Sequence, residues 1–175
     1  MRKLRNSELG RLSSEEYTAS EKTPLILVLD NIRSMHNVGS IFRTADCFRV
    51  AHIYLCGLTP IPGHAEIEKT ALGATESVDW SHNESTMTCL KELRKEGHRI
   101  AALEQAERSI DLRDYHANGP IVLVLGHEVK GVAQEVVDFS DDVIEIKQFG
   151  TKHSLNVSVG TGMAVYELHQ QLSSE

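Results

Sequence analysis

The chain has 175 residues, of which 41% are hydrophobic, and it carries a formal net charge of -7. This length can bury one core of ordinary size, which predicts a single domain. The longest apolar runs, such as residues 25–29, fall far short of the ~20 residues that a membrane-spanning helix needs. The polar start also lacks the apolar stretch of a secretory signal, so we expect a cytoplasmic protein without a membrane segment.

Cysteine and histidine usage predicts neither a disulfide framework nor a metal site. The three cysteines, Cys47, Cys56 and Cys89, form no CxxC pair, and an odd number is not typical of a disulfide scaffold. The nine histidines are scattered from His36 to His169, without the HxxxH or HExxH spacing of zinc ligands. We expect reduced thiols and no bound metal.

Positive charge is concentrated at the start of the chain. Residues 1–12 carry four basic residues against one glutamate, so this segment has a charge of +3 and leaves -10 for the remainder. An acidic protein does not coat nucleic acid through bulk electrostatics, so any such contact is confined to patches. We predict a basic N-terminal arm or helix at residues 1–23 and a folded domain at residues 24–175. The basic residues of the arm are Arg2, Lys3, Arg5 and Arg11.

From Pro24 onward, apolar β-branched runs alternate with helical patterns, which is typical of βαβ units around a mostly parallel sheet flanked by helices. We therefore predict an α/β fold whose strands are buried on both faces. The predicted strands are 25–29, 52–56, a piece around 78–80, 100–103, 121–125 and 143–146. The predicted helices are 37–48, 66–72, 85–96, 133–137 and 154–171, with Ser154 as the N-cap of the last.

A polar segment at residues 30–46 follows the first predicted strand. In open α/β sheets, ligands bind at the carboxyl ends of strands, so its polar groups are expected to face a cleft. Asn37 can cap the following helix, and Gly39 allows another backbone to come close. Arg43 lies two turns into the helix, where it can reach a phosphate across the cleft mouth. An ordinary N-cap and a surface arginine would explain the segment equally well.

Residues 125–132 form a glycine-bounded loop after the most apolar predicted strand. Glycines here permit tight turning and close approach of a ligand, and Glu128 supplies an acceptor beside them. The loop superficially resembles a dinucleotide fingerprint, but a glutamate replaces the middle glycine and no full GxGxxG follows. This disfavours a nucleotide-binding protein of the dehydrogenase type.

A third segment, residues 146–162, brings a glycine-containing loop to the start of the last predicted helix. Its first turn offers Ser154 and Asn156 together with free backbone N–H groups. Ser158, Gly160 and Gly162 follow, and such small residues allow another helix to approach closely. Helix packing explains the small residues, but it does not explain the polar cluster just before them.

Together, these segments resemble the three signature motifs of the SpoU family of tRNA/rRNA 2′-O-ribose methyltransferases, within the SPOUT superfamily. The matching patterns are N-x-G-x-x-x-R-T-A at 37–45, G-x-E-x-x-G at 126–131 and S-L-N-V-S-V at 154–159. They occur in the family's order and span most of the chain. The Leu-Gly-Ala at 72–74 also looks like a recurrent element of the family.

The resemblance implies an α/β fold whose C-terminal part threads into a deep trefoil knot, which general rules of chain topology would not suggest. It implies S-adenosylmethionine bound in the knot loops, and a homodimer whose active sites borrow from the partner. A helix contact of that kind fits the small residues Ser158, Gly160 and Gly162 and the apolar residues Val159, Met163 and Tyr166. The cofactor contacts implied by position are Leu125, Gly126, Glu128, Ile146, Gln148, Phe149, Gly150, Ser154, Leu155 and Asn156.

The implied activity is methyl transfer to a ribose 2′-hydroxyl of tRNA or rRNA. Arg43 is the implied catalytic residue, with Asn37 and Glu128 organising it, and with Ser154 and Asn156 shaping the site. A guanidinium with a pKa above ~12 is a poor general base, so we expect Arg43 to bind the RNA phosphate and hydroxyl. The residues expected to contact RNA are Arg2, Lys3, Arg5, Arg11, Arg33 and Arg43.

Three positions depart from the family pattern: Lys147 where proline is common, Gln148 where many relatives have methionine, and Gly160 where alanine is usual. None of them removes a named catalytic group. The rival hypothesis is an RNA-binding protein that keeps the fold without catalysing transfer, and calorimetry against S-adenosylmethionine would separate the two. Recognition is expected to depend on the basic arm, the first motif and the dimer surface, which suits tRNA better than rRNA.

Overall fold

A computed structural model describes residues 1–173 and shows seven strands there, paired in parallel in one sheet. The spatial order is β3-β2-β1-β6-β4-β7-β5, so the early strands form one half and the later strands the other. The predicted parallel α/β sheet is confirmed. The strands are β1 (Thr23–Asp30), β2 (Val50–Cys56), β3 (Trp80–Asn83), β4 (Arg99–Leu103), β5 (Ile110–Asp111), β6 (Ile121–Leu125) and β7 (Asp142–Glu145).

Helices cover both faces of the sheet, so that β6 is buried along its whole length. One core lies beneath α2, α3, α4 and α7, and the second lies beneath α5 and α6. Within residues 1–173 the α-helices are α1 (Ser14–Ala19), α2 (Met35–Cys47), α3 (Ala65–Ala71), α4 (Ala74–Ser77), α5 (Thr86–Lys95), α6 (Gln134–Phe139) and α7 (Val157–Leu172).

Two predicted helix caps are wrong. Helix α2 begins at Met35, and its N-cap is Ser34, whose hydroxyl accepts a hydrogen bond from the Asn37 backbone N–H. Helix α7 begins at Val157, and its N-cap is Asn156 rather than Ser154. Serine and asparagine cap equally well, so local preference does not decide between neighbouring candidates.

Three short elements also differ from the prediction. Strand β3 continues through Asn83, beyond the piece predicted around 78–80, because an edge strand does not need an apolar run. Helix α4 and strand β5 have four and two residues, too few for a periodic pattern.

Gly39 behaves as expected: a Cβ there would lie 2.3 Å from the Ile67 carbonyl oxygen, so α2 and α3 are in close contact.

The N-terminal segment contacts the core through Tyr17 of α1, which is 6% exposed. A capping box between Ser13 and Glu16 begins α1, and the Lys22 ammonium lies 3.8 Å from the centre of the Tyr17 ring.

The expected division at residue 23 stays a prediction, and residues 174–175 of the expected domain lie outside the described residues. Over residues 1–173, no helix is long and apolar enough to cross a membrane, and no cluster of three or more His, Cys, Asp or Glu is placed to hold a metal.

Candidate active site

The second and third motif segments meet at the carboxyl edge of the sheet, around a cavity of about 550 Å³. Its walls come from the residues that follow β4, β6 and β7 and from the first turn of α7. This volume is typical of a small-molecule site. The expected cofactor contacts that line it are Leu125, Gly126, Glu128, Ile146, Gln148, Ser154, Leu155 and Asn156.

The remaining two expected contacts, Phe149 and Gly150, do not line this cavity. Phe149 is 87% exposed and lies in the loop between β7 and α7. Conversely, the wall after β4 was not predicted, although β4 ends at the same edge of the sheet and the rule for carboxyl ends would have found it. The unpredicted lining residues there are Leu103, Glu104, Gln105 and Ala106.

The loop after β6 folds back on itself, and two glycines make this possible. A Cβ on Gly126 would lie 2.2 Å from the backbone of Gly131 and Val132. Gly131 has a φ of 68°, in the left-handed region, and its backbone exchanges two hydrogen bonds with His127. Glu104 fastens the loop by accepting a hydrogen bond of 2.8 Å from the Val132 N–H. The prediction that glycines permit tight turning here is confirmed.

Glu128 connects the second motif to the first. Its carboxylate accepts hydrogen bonds from the backbone N–H groups of Arg33 at 3.1 Å and Ser34 at 2.9 Å, and from the Asn37 amide at 3.0 Å. Burial is the largest single influence and would raise the pKa of Glu128, but these donors together outweigh it, so the pKa lies below its ordinary value. Ionised Glu128 therefore holds the start of α2 in place.

Asn37 extends the network to the third motif. Its Oδ1 accepts a hydrogen bond of 3.1 Å from Asn156 Nδ2. The Asn156 Oδ1 in turn accepts from the Ser158 backbone N–H at 2.9 Å and from its hydroxyl at 2.7 Å, which caps α7. One side chain from each motif thus belongs to a single chain of hydrogen bonds, formed by Glu128, Asn37 and Asn156.

Arg43 is not part of this network. It is exposed on α2, and at six residues after Asn37 its side chain leaves the helix about 240° around the axis from that of Asn37. Among residues 1–173, no hydrogen bond or ion pair engages its guanidinium. Among the described residues, no hydrogen bond or ion pair joins Asn37 or Glu128 to Arg43, so their expected role in organising Arg43 stays a prediction. Asn37 and Arg43 are connected there through α2, the helix that carries both.

The residues expected to contact RNA are exposed, but their charges are not equally available. Arg2 makes a two-point ion pair with Glu8, at 2.6 and 2.9 Å, which offsets part of the positive charge of the N-terminal segment. The others are exposed: Lys3, Arg5, Arg11 and Arg33.

Helix α7 presents an exposed apolar row of Val159, Met163 and Tyr166, which are 52%, 47% and 54% exposed. Tyr166 packs edge-on against Phe48 of the same chain, with 5.8 Å between ring centres. Gly160 faces the cavity instead, since a Cβ there would lie 3.7 Å from Ile146. The row and the glycine therefore lie on different faces of α7.

The sequence matches the model of the SpoU rRNA Methylase family over residues 24–166. The chain belongs to this family. It is 33% identical over 162 residues to a tRNA (guanosine(18)-2′-O)-methyltransferase of Aquifex aeolicus, a match that covers 89% of this chain and 74% of that protein. It is 30% identical over 164 residues to a 23S rRNA (guanosine-2′-O-)-methyltransferase of Vibrio parahaemolyticus, which covers 94% of this chain and 66% of that protein.

Solved structures show the same fold. An AdoMet-bound rRNA methyltransferase from Sinorhizobium meliloti superposes with a TM-score of 0.81 at 28% identity, over 88% of this chain and 59% of that one. A structure described as giving insights into the 2-OH methylation of C/U34 on tRNA has a TM-score of 0.75 at 26% identity, over 86% of this chain and 97% of that one. The chain thus spans less than two thirds of the Vibrio and Sinorhizobium proteins.

Proposed function

We propose that this chain transfers a methyl group from S-adenosylmethionine to a ribose 2′-hydroxyl of an RNA. The observation that carries the proposal is that the second and third motifs line one cavity, while Asn37 of the first motif is hydrogen bonded to Glu128 and Asn156 in its walls. The named relatives are 2′-O-methyltransferases of guanosine in tRNA and in 23S rRNA. They supply the reaction class, and the cavity supplies a place for it in this chain.

The cavity fits S-adenosylmethionine in size and in chemistry. Leu103, Leu125 and Ile146 supply apolar surface for a purine ring, and the side chains of Gln148 and Ser154 supply polar groups that can hydrogen bond to the cofactor. When bound, the cofactor supplies an electrophilic methyl group, and the Sinorhizobium neighbour contains it. The contacts we propose are Leu125, Gly126, Glu128, Ile146, Gln148, Ser154, Leu155 and Asn156.

Within this proposal, Glu128, Asn37 and Asn156 are positioning residues. Glu128 fixes the start of α2 and Asn156 fixes the start of α7, while Asn37 joins the two. An in-line attack by a hydroxyl depends strongly on alignment, and groups held in place beforehand need no reorganisation during the reaction. Ser154 lines the cavity from the loop before α7 and shapes its mouth.

Arg43 is the proposed catalytic residue, acting by binding rather than as a base. A guanidinium stays charged, and this one is exposed without a partner among the described residues, so it is available for the phosphate and hydroxyl of the target nucleotide. The proposed RNA surface is completed by Arg2, Lys3, Arg5, Arg11 and Arg33.

We propose a homodimer in which the row of Val159, Met163 and Tyr166 is buried against a second copy. Exposed apolar rows of this kind favour a partner. Arg43 leaves α2 away from the Asn37 network, which supports a site completed by the other subunit. Light scattering on Met163→Asp tests this: the mass falls to that of one chain if the row is the interface, and an unchanged dimer rejects it.

The proposed substrate is tRNA, and the proposed location is the cytoplasm. This chain covers 97% of the solved structure that is described as giving insights into methylation of C/U34 on tRNA, and its positive charge is concentrated in a short arm.

A basic arm at 1–23, a catalytic domain at 24–175 and a C-terminal trefoil knot are also proposals. Supporting the knot, β7 lies beyond β4 and β6 from β1, yet α7 returns to contact both α2 and β1.

Nucleoside mass spectrometry tests the proposed reaction. Total tRNA and rRNA from cells that lack the gene are incubated with the protein and isotopically labelled S-adenosylmethionine, then digested. We expect the label in a 2′-O-methylnucleoside. A label on a base would contradict ribose methylation, and cofactor binding by calorimetry without label on either RNA would favour the non-catalytic RNA-binding protein.

A further inference from the structure

The loop of residues 147–153, between β7 and α7, encloses a second cavity of about 370 Å³. Both ends of the loop line it, and the tip at 149–151 lies between them. Its lining is mostly polar, whereas the lining of the larger cavity is mixed. The polar residues concerned are Gln105, Glu145, Lys147, Gln148, Lys152 and His153.

Positive charge in this loop is incompletely neutralised. Residues 147–153 contain two lysines and no acidic residue, in a chain whose net charge is -7. Lys147 lies 3.7 Å from Asp111, but Arg113 already occupies that carboxylate with bonds of 2.6 and 3.1 Å. Lys152 is exposed and has no polar partner among residues 1–173. The lining of the second cavity thus holds two lysines against one carboxylate, that of Glu145, and the remaining positive charge offers a binding place for an anion.

The backbone of the loop is fastened where it returns toward α7. The Gln105 side chain donates a hydrogen bond of 2.9 Å to the His153 carbonyl, which ties the loop to the segment after β4. At the tip, the Phe149 ring is 87% exposed. An exposed aromatic ring beside incompletely neutralised lysines is a combination with which proteins bind unpaired nucleotides, since the ring stacks on a base and the lysines hold the phosphate.

We infer that loop 147–153 binds an unpaired nucleotide of the RNA, with its base stacked on Phe149 and its phosphate held by Lys152 and Lys147. This inference rests on the proposed function and narrows its substrate to an RNA with a single-stranded segment beside the target ribose. The two cavities share Gln105, Ile146, Gln148 and His153 in their linings. A nucleotide bound here lies directly beside the cofactor cavity.

Anisotropy measurements with two RNA probes test the inference: an oligouridine strand and a perfect RNA duplex of equal length. We expect Phe149→Ala to weaken binding of the strand by roughly 5- to 100-fold, with little effect on the duplex, and Phe149→Trp to restore it. Lys152→Gln is expected to reduce the slope of log affinity against log salt by ~0.7 for the strand.

Matched controls lie elsewhere on the surface. Leu58→Ala removes another exposed apolar side chain, 78% exposed after β2, and Lys95→Gln removes an exposed lysine at the end of α5. Neither is expected to change strand affinity. A loss in Phe149→Ala that is equal for strand and duplex, or equal to the controls, overturns the inference.

Calorimetry with S-adenosylmethionine and light scattering separate this inference from the proposed function. A lowered cofactor affinity in Phe149→Ala would make the ring a cofactor contact, and a lowered mass would make it a subunit contact; either result overturns the inference. If the unaltered protein binds no cofactor, the proposed function itself fails. If it binds cofactor and Phe149→Ala binds the strand normally, only the inference fails.

Discussion

Helix α2 carries two polar residues of one motif in opposite environments. Asn37 is 8% exposed and hydrogen bonds to both Glu128 and Asn156, whereas Arg43 is exposed and makes no hydrogen bond or ion pair within residues 1–173. Disturbing a buried, satisfied polar group costs folding free energy, and an exposed unpaired group contributes little to it. The pattern N-x-G-x-x-x-R therefore combines a buried, hydrogen-bonded residue with an exposed one, which suits the positioning role proposed for Asn37 and the RNA contact proposed for Arg43.

The largest expected effect is a loss of activity without a loss of stability when exposed Arg43 is replaced. If Arg43 acts as proposed, Arg43→Ala is expected to lower kcat for RNA methylation by about 10²- to 10³-fold, since one charge-binding group at a reacting centre is typically worth that much. The free energy of unfolding is expected to change by less than about 0.5 kcal/mol, because the side chain is exposed and no hydrogen bond or ion pair within residues 1–173 is lost. Single-turnover kinetics and urea denaturation measure both, with Lys95→Ala as the control. Near-normal methylation by Arg43→Ala that still binds RNA contradicts the assignment.

The next effect concerns the side of α2 that contacts α3, where Gly39 lies. A Cβ on Gly39 would lie 2.1 Å from the Thr70 hydroxyl and 2.3 Å from the Ile67 carbonyl oxygen. Gly39→Ala is therefore expected to destabilise the fold by about 1–3 kcal/mol, although alanine favours a helix by up to ~1 kcal/mol. Urea denaturation checks the sign, with Ser40→Ala on the same helix expected to stay within about 0.5 kcal/mol. Stabilisation by Gly39→Ala would show that α3 moves freely away from α2.

Glu128 offers a test of the buried network by pH. Glu128→Gln removes the charge that accepts three hydrogen bonds and is expected to cost about 1–3 kcal/mol at neutral pH. The folded pKa of Glu128 is lowered, so its contribution is fully present above the unfolded pKa and is lost as pH falls through the folded value. The difference in unfolding free energy between wild type and variant is thus expected to shrink below about pH 4.5.

Denaturation of both proteins in parallel makes that comparison, since acid effects common to both cancel. Glu66→Gln is a suitable control, because Glu66 is an exposed carboxylate whose partner among the described residues is an exposed histidine, His36. Surface pairs of this kind contribute little. A wild-type advantage over Glu128→Gln that persists unchanged into acid would show that the ionised form is not what holds α2.

Most strands of the sheet could be predicted because they are long apolar runs. The hydrogen-bonding partners in the site were harder to predict, because neighbouring serine and asparagine side chains can make the same hydrogen bonds. Residues 121–125, bounded by Gly119-Pro120 and Gly126, gave β6 at the bounds that the structure shows. Both wrong caps have asparagine and serine within three residues of each other, and contacts with distant residues decide between them. Asn37 is used by Glu128 and Asn156, 91 and 119 residues away, and local sequence carries no record of such distances.

The smallest expected effect isolates the bond that joins the two helix starts. Asn156→Asp keeps the Oδ1 that caps α7, and a negative charge is favourable at a helix N-terminus, but it removes the Nδ2 donor to Asn37. We expect a loss of about 1 kcal/mol, against about 2 kcal/mol for Asn156→Ala, which also loses the cap. Urea denaturation measures both, and calorimetry measures the cofactor affinity of each. Equal losses would mean that the cap contributes nothing. If Asn156→Asp changes neither the free energy of unfolding nor the cofactor affinity, α2 and α7 are positioned by apolar packing alone. The hydrogen bonds among Glu128, Asn37 and Asn156 would then follow from that packing instead of enforcing it.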